Sequence, residues 1–329
     1  MTLKTVALLH PGEMGAAIGA CLGGRGLRVV WASARRSAAT RSRASAAGME
    51  DLGTIERALS VADIVLSVCP PHGALALASE VAGHGFGGVY IDANAISPAT
   101  VRNIGRVVEA AEATFVDGGI IGPPPVPGVS SRIYLSGGRA RDIAAVFAGS
   151  NLEAIPLEGP AGAASALKAC YAAWTKGATA LLAAIRALAT HEGVEAALLE
   201  EWKRSQPDLP KRSEVVTVQA RKAWRWIGEM QEIAASFEAV GLPGGFHLAA
   251  ADLYRRLEGF KDGAAAPALA EVIAAFRRGV PRRKSASGAR RRSSAPRAQE
   301  ETAPPARFKF GTAAIKRDAA KRLRSLKRS

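Results

Sequence analysis

The sequence predicts an α/β domain on a mainly parallel sheet, then an all-α domain, then a disordered basic tail. Three observations carry this. Short apolar runs alternate with helical stretches through the first half. The pattern turns almost wholly helical near Pro160. Beyond Pro281, Ser, Arg, Ala and Pro dominate. A chain of 329 residues suits two domains, and 48% hydrophobic content fills a sizeable core. Ala and Gly supply much of that fraction and aromatics are 5%, a mix that favours close-packed helices over an aromatic-rich β-sandwich. The boundaries fall at residues 1–158, 159–280 and 281–329.

The elements follow in order. Residues 4–9 form a first strand that runs into a glycine-rich turn and a helix over 13–22. Residues 27–32 form a second strand, followed by an Ala-rich helix from about Ala38. Residues 62–68 (ADIVLSV) and 88–92 (GVYID) read as buried strands, each ending at a loop, and 114–117 and 133–136 continue the series. Strands alternating with helices imply right-handed βαβ units and a parallel sheet. Residues 161–189 read as one long helix and 215–240 as another, with breaks at Gln206-Pro207, Pro210 and 241–245; helix ends near Arg278.

The charge is unevenly placed. Residues 281–329 hold 16 basic side chains against three acidic ones, about +13 of the formal +15, so the rest of the chain is nearly neutral. Such a tail buries too little apolar surface to offset its ordering entropy. It would bind phosphate backbones non-specifically, or be a solvated extension. The apolar run after Lys4 is too short for a secretory signal, and the most apolar window, 161–189, contains Lys168, Lys176 and Arg186. The expectation is a soluble cytoplasmic protein without a membrane span. Cys21, Cys69 and Cys170 are far apart and odd in number, and the five histidines lack ligand spacing, so no metal is expected.

Between the first strand and the first helix runs His10-Pro11-Gly12-Glu13-Met14-Gly15. It occupies the place of the G-x-G-x-x-G turn of Rossmann domains. There one glycine lets backbone approach a pyrophosphate, another lets helix and strand pack closely, and the helix N-terminus offers free N–H groups. Gly12 and Gly15 keep these roles, while His10 replaces the first glycine. At the end of the second strand, an acidic residue would accept a ribose 2′-hydroxyl and repel a 2′-phosphate. The segment 31–37 instead reads Trp-Ala-Ser-Ala-Arg-Arg-Ser. Ser33, Arg35 and Arg36 are therefore expected to hold a 2′-phosphate, which favours NADP(H) over NAD(H). A solvated basic loop is the competing reading.

Further segments, with that turn, resemble the β-hydroxyacid dehydrogenase superfamily, which includes 6-phosphogluconate dehydrogenase and the imine reductases. They are Cys69-Pro70-Pro71, Asp92-Ala93-Asn94-Ala95-Ile96-Ser97-Pro98, the run 116–123 around Gly118 and Gly119, and the run 159–167 leading into Lys168. The resemblance spans roughly residues 4–275. Within it, the segment from Trp224 to Pro243 resembles 6-phosphogluconate dehydrogenase-like proteins.

The resemblance implies hydride transfer between nicotinamide and a hydroxyl- or imine-bearing carbon. Lys168 matches the family's general acid/base. Its pKa must fall from about 10.4 to about 7–8 for this work, and burial and a nearby cationic ring both push that way. A lysine whose stem crosses apolar surface is the competing reading. The family's substrate-binding asparagine one turn later is replaced by Ala172, with Tyr171 and Trp174 nearby as substrate contacts. Asn94 is expected to bond nicotinamide or substrate. Ser97 either meets substrate or caps a helix. Gly118 and Gly119 either open backbone N–H groups to substrate or form a plain turn. Cys69, Pro70 and Pro71 either abut the cofactor ribose or form a rigid turn.

Glu229 and Glu232 read as a solvated or dimer-facing pair. Imine reductases usually carry Asp or Tyr at the lysine position, which sets Lys168 against that activity. A dinucleotide-sensing protein docking through its tail on nucleic acid or another acidic partner is a further alternative. The long helix must cover its apolar face, and the resemblance implies a homodimer through the helical domain.

Overall fold

Val, Ile and Leu fill the short runs that become strands, and most of these are buried on both faces, as a parallel sheet between helices requires. The structure, a computed structural model, describes residues 4–278. In order, the first half contains β1 (Thr5–Leu8), α1 (Glu13–Gly23), β2 (Arg28–Trp31), α2 (Ala38–Ala46), β3 (Glu50–Asp51), α3 (Ile55–Val61), β4 (Ile64–Ser67), α4 (Ala74–Gly83), β5 (Val89–Asp92), α5 (Pro98–Glu109), β6 (Thr114–Ile121), β7 (Ser131–Ser136), α6 (Ala140–Val146) and β8 (Leu152–Pro156). Then come α7 (Ala163–His191), α8 (Glu195–Ser205), α9 (Leu209–Gln219), α10 (Trp226–Glu238), α11 (Gly245–Arg255) and α12 (Leu269–Arg277).

The eight strands run in the order β3-β2-β1-β4-β5-β6-β7-β8. Every pairing is parallel except β6 with β7. One face packs Leu8, Ile18, Leu66, Ile91 and Ile133; the other packs Ala7, Val30, Val65, Tyr90 and Phe115. A third core joins the helices through Ala183, Val216, Met230, Tyr254 and Val272.

The structure differs from the sequence reading in three places. The strand over 114–117 continues to Ile121, so Gly118 and Gly119 lie inside a strand, paired with Leu135 and Tyr134, and not in a loop. The two-residue β3 and the five-residue β8 add strands that hydrophobic pattern alone does not mark. The helix expected over 215–240 is broken by a 3₁₀ turn, Ala220–Arg225. With three residues per turn, Ala220 and Ala223 fall on one face and are both buried, while Lys222 and Arg225 reach the other side. The long helix is α7, displaced by two residues from the expected 161–189. The expected disordered tail, 281–329, lies outside the described residues.

Candidate active site

The glycine turn places its groups as a phosphate cradle. Gly12 opens α1 with no side-chain cap, so the first N–H groups of the helix are free. A Cβ at Gly12 would meet nothing within 4 Å, whereas one at Gly15 would strike the His10 carbonyl and lie 3.0 Å from Leu8 Cδ2. Gly12 leaves open ground and Gly15 seats the helix on the strand. Burial, then the Arg36 charge, pushes His10 down to about 4, so its ring is neutral near pH 7. His10 Nδ1 and Arg36 Nε are buried without partners. Orphaned polar atoms beside free helix N–H groups fit an anionic ligand such as a dinucleotide. Pro11 accepts a hydrogen bond from Arg43 Nε at 3.3 Å, Met14 packs on the sheet core, and Glu13 turns toward the helical region.

At the end of β2, Arg35 is exposed with φ 61°, and Arg36 is half-buried. Arg41 Nη1 holds the Arg36 carbonyl at 2.6 Å and fixes the turn. The Ser33 N–H is already bound to Asp51 Oδ1 at 3.2 Å, and the same oxygen accepts from Gly53 N at 2.8 Å. Asp51 arrives on β3, 18 residues after Ser33, which is why reading segment 31–37 alone misses it.

The ends of β4 and β5 are tied by a buried polar network. Asn94 Oδ1 accepts from Cys69 N at 2.5 Å, and its Nδ2 donates to Ser67 Oγ at 2.8 Å and Asp92 Oδ2 at 2.9 Å. Asn94 is 2% exposed. Both amide protons are spent, so Asn94 joins two strand ends instead of donating to nicotinamide. Burial first, and also Asp117, pushes Asp92 up to about 7. Burial pushes the Cys69 thiol up to about 12, so it stays protonated. Pro70 leads into a 3₁₀ turn, Pro71–Gly73, and Pro71 lies against α10, 3.8 Å from where a Cβ on Gly228 would sit. Ser97 is the N-cap of α5: its Oγ accepts from Thr100 N at 3.1 Å, and its own N–H donates to Glu232 at 2.8 Å. Those bonds give it the capping role and correct the expected substrate contact.

Lys168 is placed by two residues of β6. Asp117 accepts from Gly162 N at 2.8 Å, Ser165 N at 3.1 Å, Ser165 Oγ at 2.6 Å and Ser136 Oγ at 2.8 Å. The first three come from the start of α7, where a carboxylate complements the helix dipole. Gly162 has φ 107°, a conformation that suits glycine at this cap. A Cβ on Gly119 would lie 2.6 Å from the Ala164 carbonyl and 3.3 Å from Lys168 Cβ. Gly119 therefore lets α7 press on the sheet beneath Lys168. With Gly118 it is buried within a strand, so the plain glycine turn does not apply.

Lys168 lines a narrow pocket of about 10 Å³, room for about one water, with Ala95, Ile96, Glu229, Glu232 and Ile233. It sits beyond the C-terminal end of β5 and over the middle of β6, close to where ligands bind in this sheet topology. A larger hollow of about 280 Å³ by Glu56, His84 and Gly88 is at the opposite end of the strands. Burial pushes Lys168 down to about 8, opposed by Glu229, helped by Lys176, and opposed again by Asp92 and Asp117. Glu229 is 7% exposed and pairs with Lys176 at 2.5 Å. Glu232 also accepts from Thr100 Oγ1 at 3.0 Å. The two glutamates are thus pocket residues, not a solvated face. No local pattern marks them; only the packing of α10 on α5 and α7 brings them in.

Tyr171 and Trp174 are 49% and 63% exposed, and Trp174 is covered on one side by Arg212, whose Cζ lies 5.3 Å from its ring centre. Neither lines the Lys168 pocket, because they occupy the outward stripe of α7. Among the described residues, no group of three or more His, Cys, Asp or Glu is placed to hold a metal, and no helix is long and apolar enough to cross a membrane.

A model for a domain of unknown function, DUF1932, matches residues 189–257. A search of curated proteins finds no match. Among solved structures, the conserved protein MTH1747 of unknown function, itself structurally similar to 3-hydroxyacid dehydrogenases, shares 26% identity at a TM-score of 0.60, covering 78% of this chain and 98% of that one. The Mycobacterium tuberculosis 3-hydroxyisobutyrate dehydrogenase, solved with L-serine, gives 22% identity and a TM-score of 0.62 over 84% of this chain and 100% of that one. A reductive aminase from Aspergillus terreus, in complex with NADPH and ethyl levulinate, gives 18% identity and a TM-score of 0.50 over 84% and 100%. The chain therefore has the architecture of the 3-hydroxyacid dehydrogenase-like proteins, the fold of dehydrogenases and reductases, with its DUF1932 segment in the helical region.

Proposed function

We propose that the protein is an NADP(H)-dependent oxidoreductase in which Lys168 is the general acid/base for hydride transfer at a hydroxyl-bearing carbon. The observation that carries this reading is the setting of Lys168: an amine held near pKa 8, fixed by Asp117 and Gly119, in a pocket beyond the end of β5. The nicotinamide supplies or accepts the hydride when bound. In oxidation, neutral Lys168 takes the hydroxyl proton as hydride leaves the carbon; in reduction, the ammonium returns a proton to the new alkoxide. The free N–H groups at the start of α1, after Gly12, and the orphaned His10 and Arg36 nitrogens would hold the dinucleotide. The reductive aminase with NADPH supports a nicotinamide cofactor on this fold.

Preference for NADP(H) rests on Arg35 and Arg36. Replacing both with alanine is expected to weaken NADPH by about 10- to 100-fold, the worth of one or two charged hydrogen bonds, and to weaken NADH clearly less, through the loss of Arg36 beside the cradle alone. Titration of the two nucleotides into the wild-type and variant proteins checks this; equal losses for both would reject the assignment.

Imine reduction is the second reading. Glu229 and Glu232 beside the pocket suit a cationic nitrogen better than a substrate carboxylate. Turnover with NADPH and NADP⁺ against hydroxy acids, keto acids and cyclic imines separates the two, and failure on the whole panel would count against both.

We also read the chain as a homodimer. Leu167, Tyr171, Trp174, Leu181 and Leu188 are exposed along α7 at heptad-compatible spacing. Leu181→Glu with Leu188→Glu is expected to give monomers by light scattering. A wild-type monomer would end this reading.

A further inference from the structure

We propose that Lys222 and Arg225, with Arg43, form a cationic strap for the dinucleotide diphosphate, and that Glu13 is the counter-ion which yields to it. This rests on the nucleotide reading of the glycine turn. It gives part of the DUF1932 segment, residues 189–257, a role in binding that nucleotide.

Glu13 is the first residue of α1. Its Oε2 lies 2.8 Å from Lys222 Nζ, and its Oε1 lies 3.5 Å from Arg225 Nη2. Both cations come from the 3₁₀ turn that breaks the expected long helix, so the break aims them at the phosphate cradle. Arg43 approaches from α2 and donates to the Pro11 carbonyl in the same turn. The hydrogen bond from Lys222, then the charges of Arg225, Lys222 and Arg43, hold the Glu13 carboxyl below its ordinary range despite partial burial. Three cations thus gather around one carboxylate, beside a helix N-terminus that already carries partial positive charge. Cations outnumber the carboxylate there, and an anionic group such as a diphosphate would offset the surplus.

The strap is also pre-shaped. Trp224 lies against two cations, with Arg225 Cζ 4.9 Å and Lys261 Nζ 4.4 Å from its ring centre. Stacking holds the guanidinium plane and lowers the ordering cost of a later phosphate contact. Lys222 and Arg225 keep side-chain exposures of 56% and 39%, so an incoming phosphate can reach them.

The two partners of the ion pair give opposite expectations. Calorimetric titration of full-length protein with NADPH and NADP⁺, at low and high salt, reads them out. Lys222→Ala with Arg225→Ala is expected to weaken both nucleotides by about 10-fold or more at low salt, and to flatten the salt dependence. Glu13→Gln leaves the cations in place and removes their competitor, so it is expected to tighten binding by about threefold. If the pair is only a structural clamp, Glu13→Gln weakens binding as the cation variant does, and the proposal fails. It fails too if the cation variant binds like wild type. A wild-type chain that binds neither nucleotide overturns the parent reading and this one together, whereas wild-type binding with unresponsive variants overturns this one alone. Melting temperatures of both variants are measured alongside, so that a folding defect is separated from a lost contact.

Discussion

Replacing Lys168 with methionine lowers turnover by about 10²- to 10⁴-fold, the usual worth of a positioned general acid/base, and leaves nucleotide affinity within about twofold. The same substitution raises stability near pH 7. The folded pKa is about 8 against an ordinary 10.5. Below pH 8 the fold therefore carries the full cost of a charged amine that burial disfavours, and the cost disappears as pH rises from 8 to 10.5. After discounting for the side chain's partial exposure, removal of that charge is worth on the order of 2 kcal/mol. For a domain of this size that is about 4–8 °C in melting temperature. Glu229 retains Lys176 as its partner in the variant, so no buried carboxylate is orphaned.

The pH profile of the wild-type protein gives a second reading of the same group. Oxidation needs the neutral amine, so its kcat/KM rises with pH through about 8. Reduction needs the ammonium, so its kcat/KM falls through the same region. Turnover by Lys168→Met at the wild-type rate would remove Lys168 from the mechanism, however well the nucleotide binds.

Asp117→Ala is expected to be the most damaging single change to the fold. The carboxylate accepts four hydrogen bonds, all buried, and three of them secure the N-terminus of α7. Each bond to a charged acceptor is worth about 1.5–3 kcal/mol, and the abandoned donors also carry desolvation costs. A loss of at least about 4 kcal/mol follows, or about 8–16 °C in melting temperature.

Asp117→Asn separates charge from geometry. With its carbonyl at the Oδ2 position, asparagine keeps three donors, and the Ser165 hydroxyl reverses to accept from the amide. The expected loss is about 1–2 kcal/mol. It also removes a negative charge that pushes up the Asp92 pKa. Thermal unfolding of both variants checks the order. Equal losses would mean that the anchor is purely ionic, and no loss in Asp117→Ala would mean that α7 is held elsewhere.

Much of this site is visible in the chain before folding. The Gly12 and Gly15 spacing marks where backbone must stay bare, and the structure uses Gly15 as that spacing requires. The arginines after β2 and Lys168 near the start of a long helix are equally local features. Asn94 and Ser97 show the opposite. Their residue types allow ligand contacts, and distant partners take up their donors: Ser67, 27 residues from Asn94, takes one amide proton, and Glu232, 135 residues from Ser97, takes its N–H. Glu229, Glu232, Lys222 and Arg225 carry no sequence signal because a charged side chain on an amphipathic helix reads as solvated until a neighbour covers it. The missed β3 has two residues, too few for any period to register.

By itself, the sequence determined the strand–helix alternation of the first half and the helical character of the second, the bare backbone at the glycine turn, the basic end of β2 and the placement of Lys168 on a long helix. These depend on local backbone preference and hydrophobic period, which act over a few residues. Tertiary structure alone decided which polar groups are already spent, which carboxylates surround Lys168, and which cations face Glu13. Those facts depend on contacts between residues up to 209 positions apart, and such pairings are set by how helices dock on the sheet.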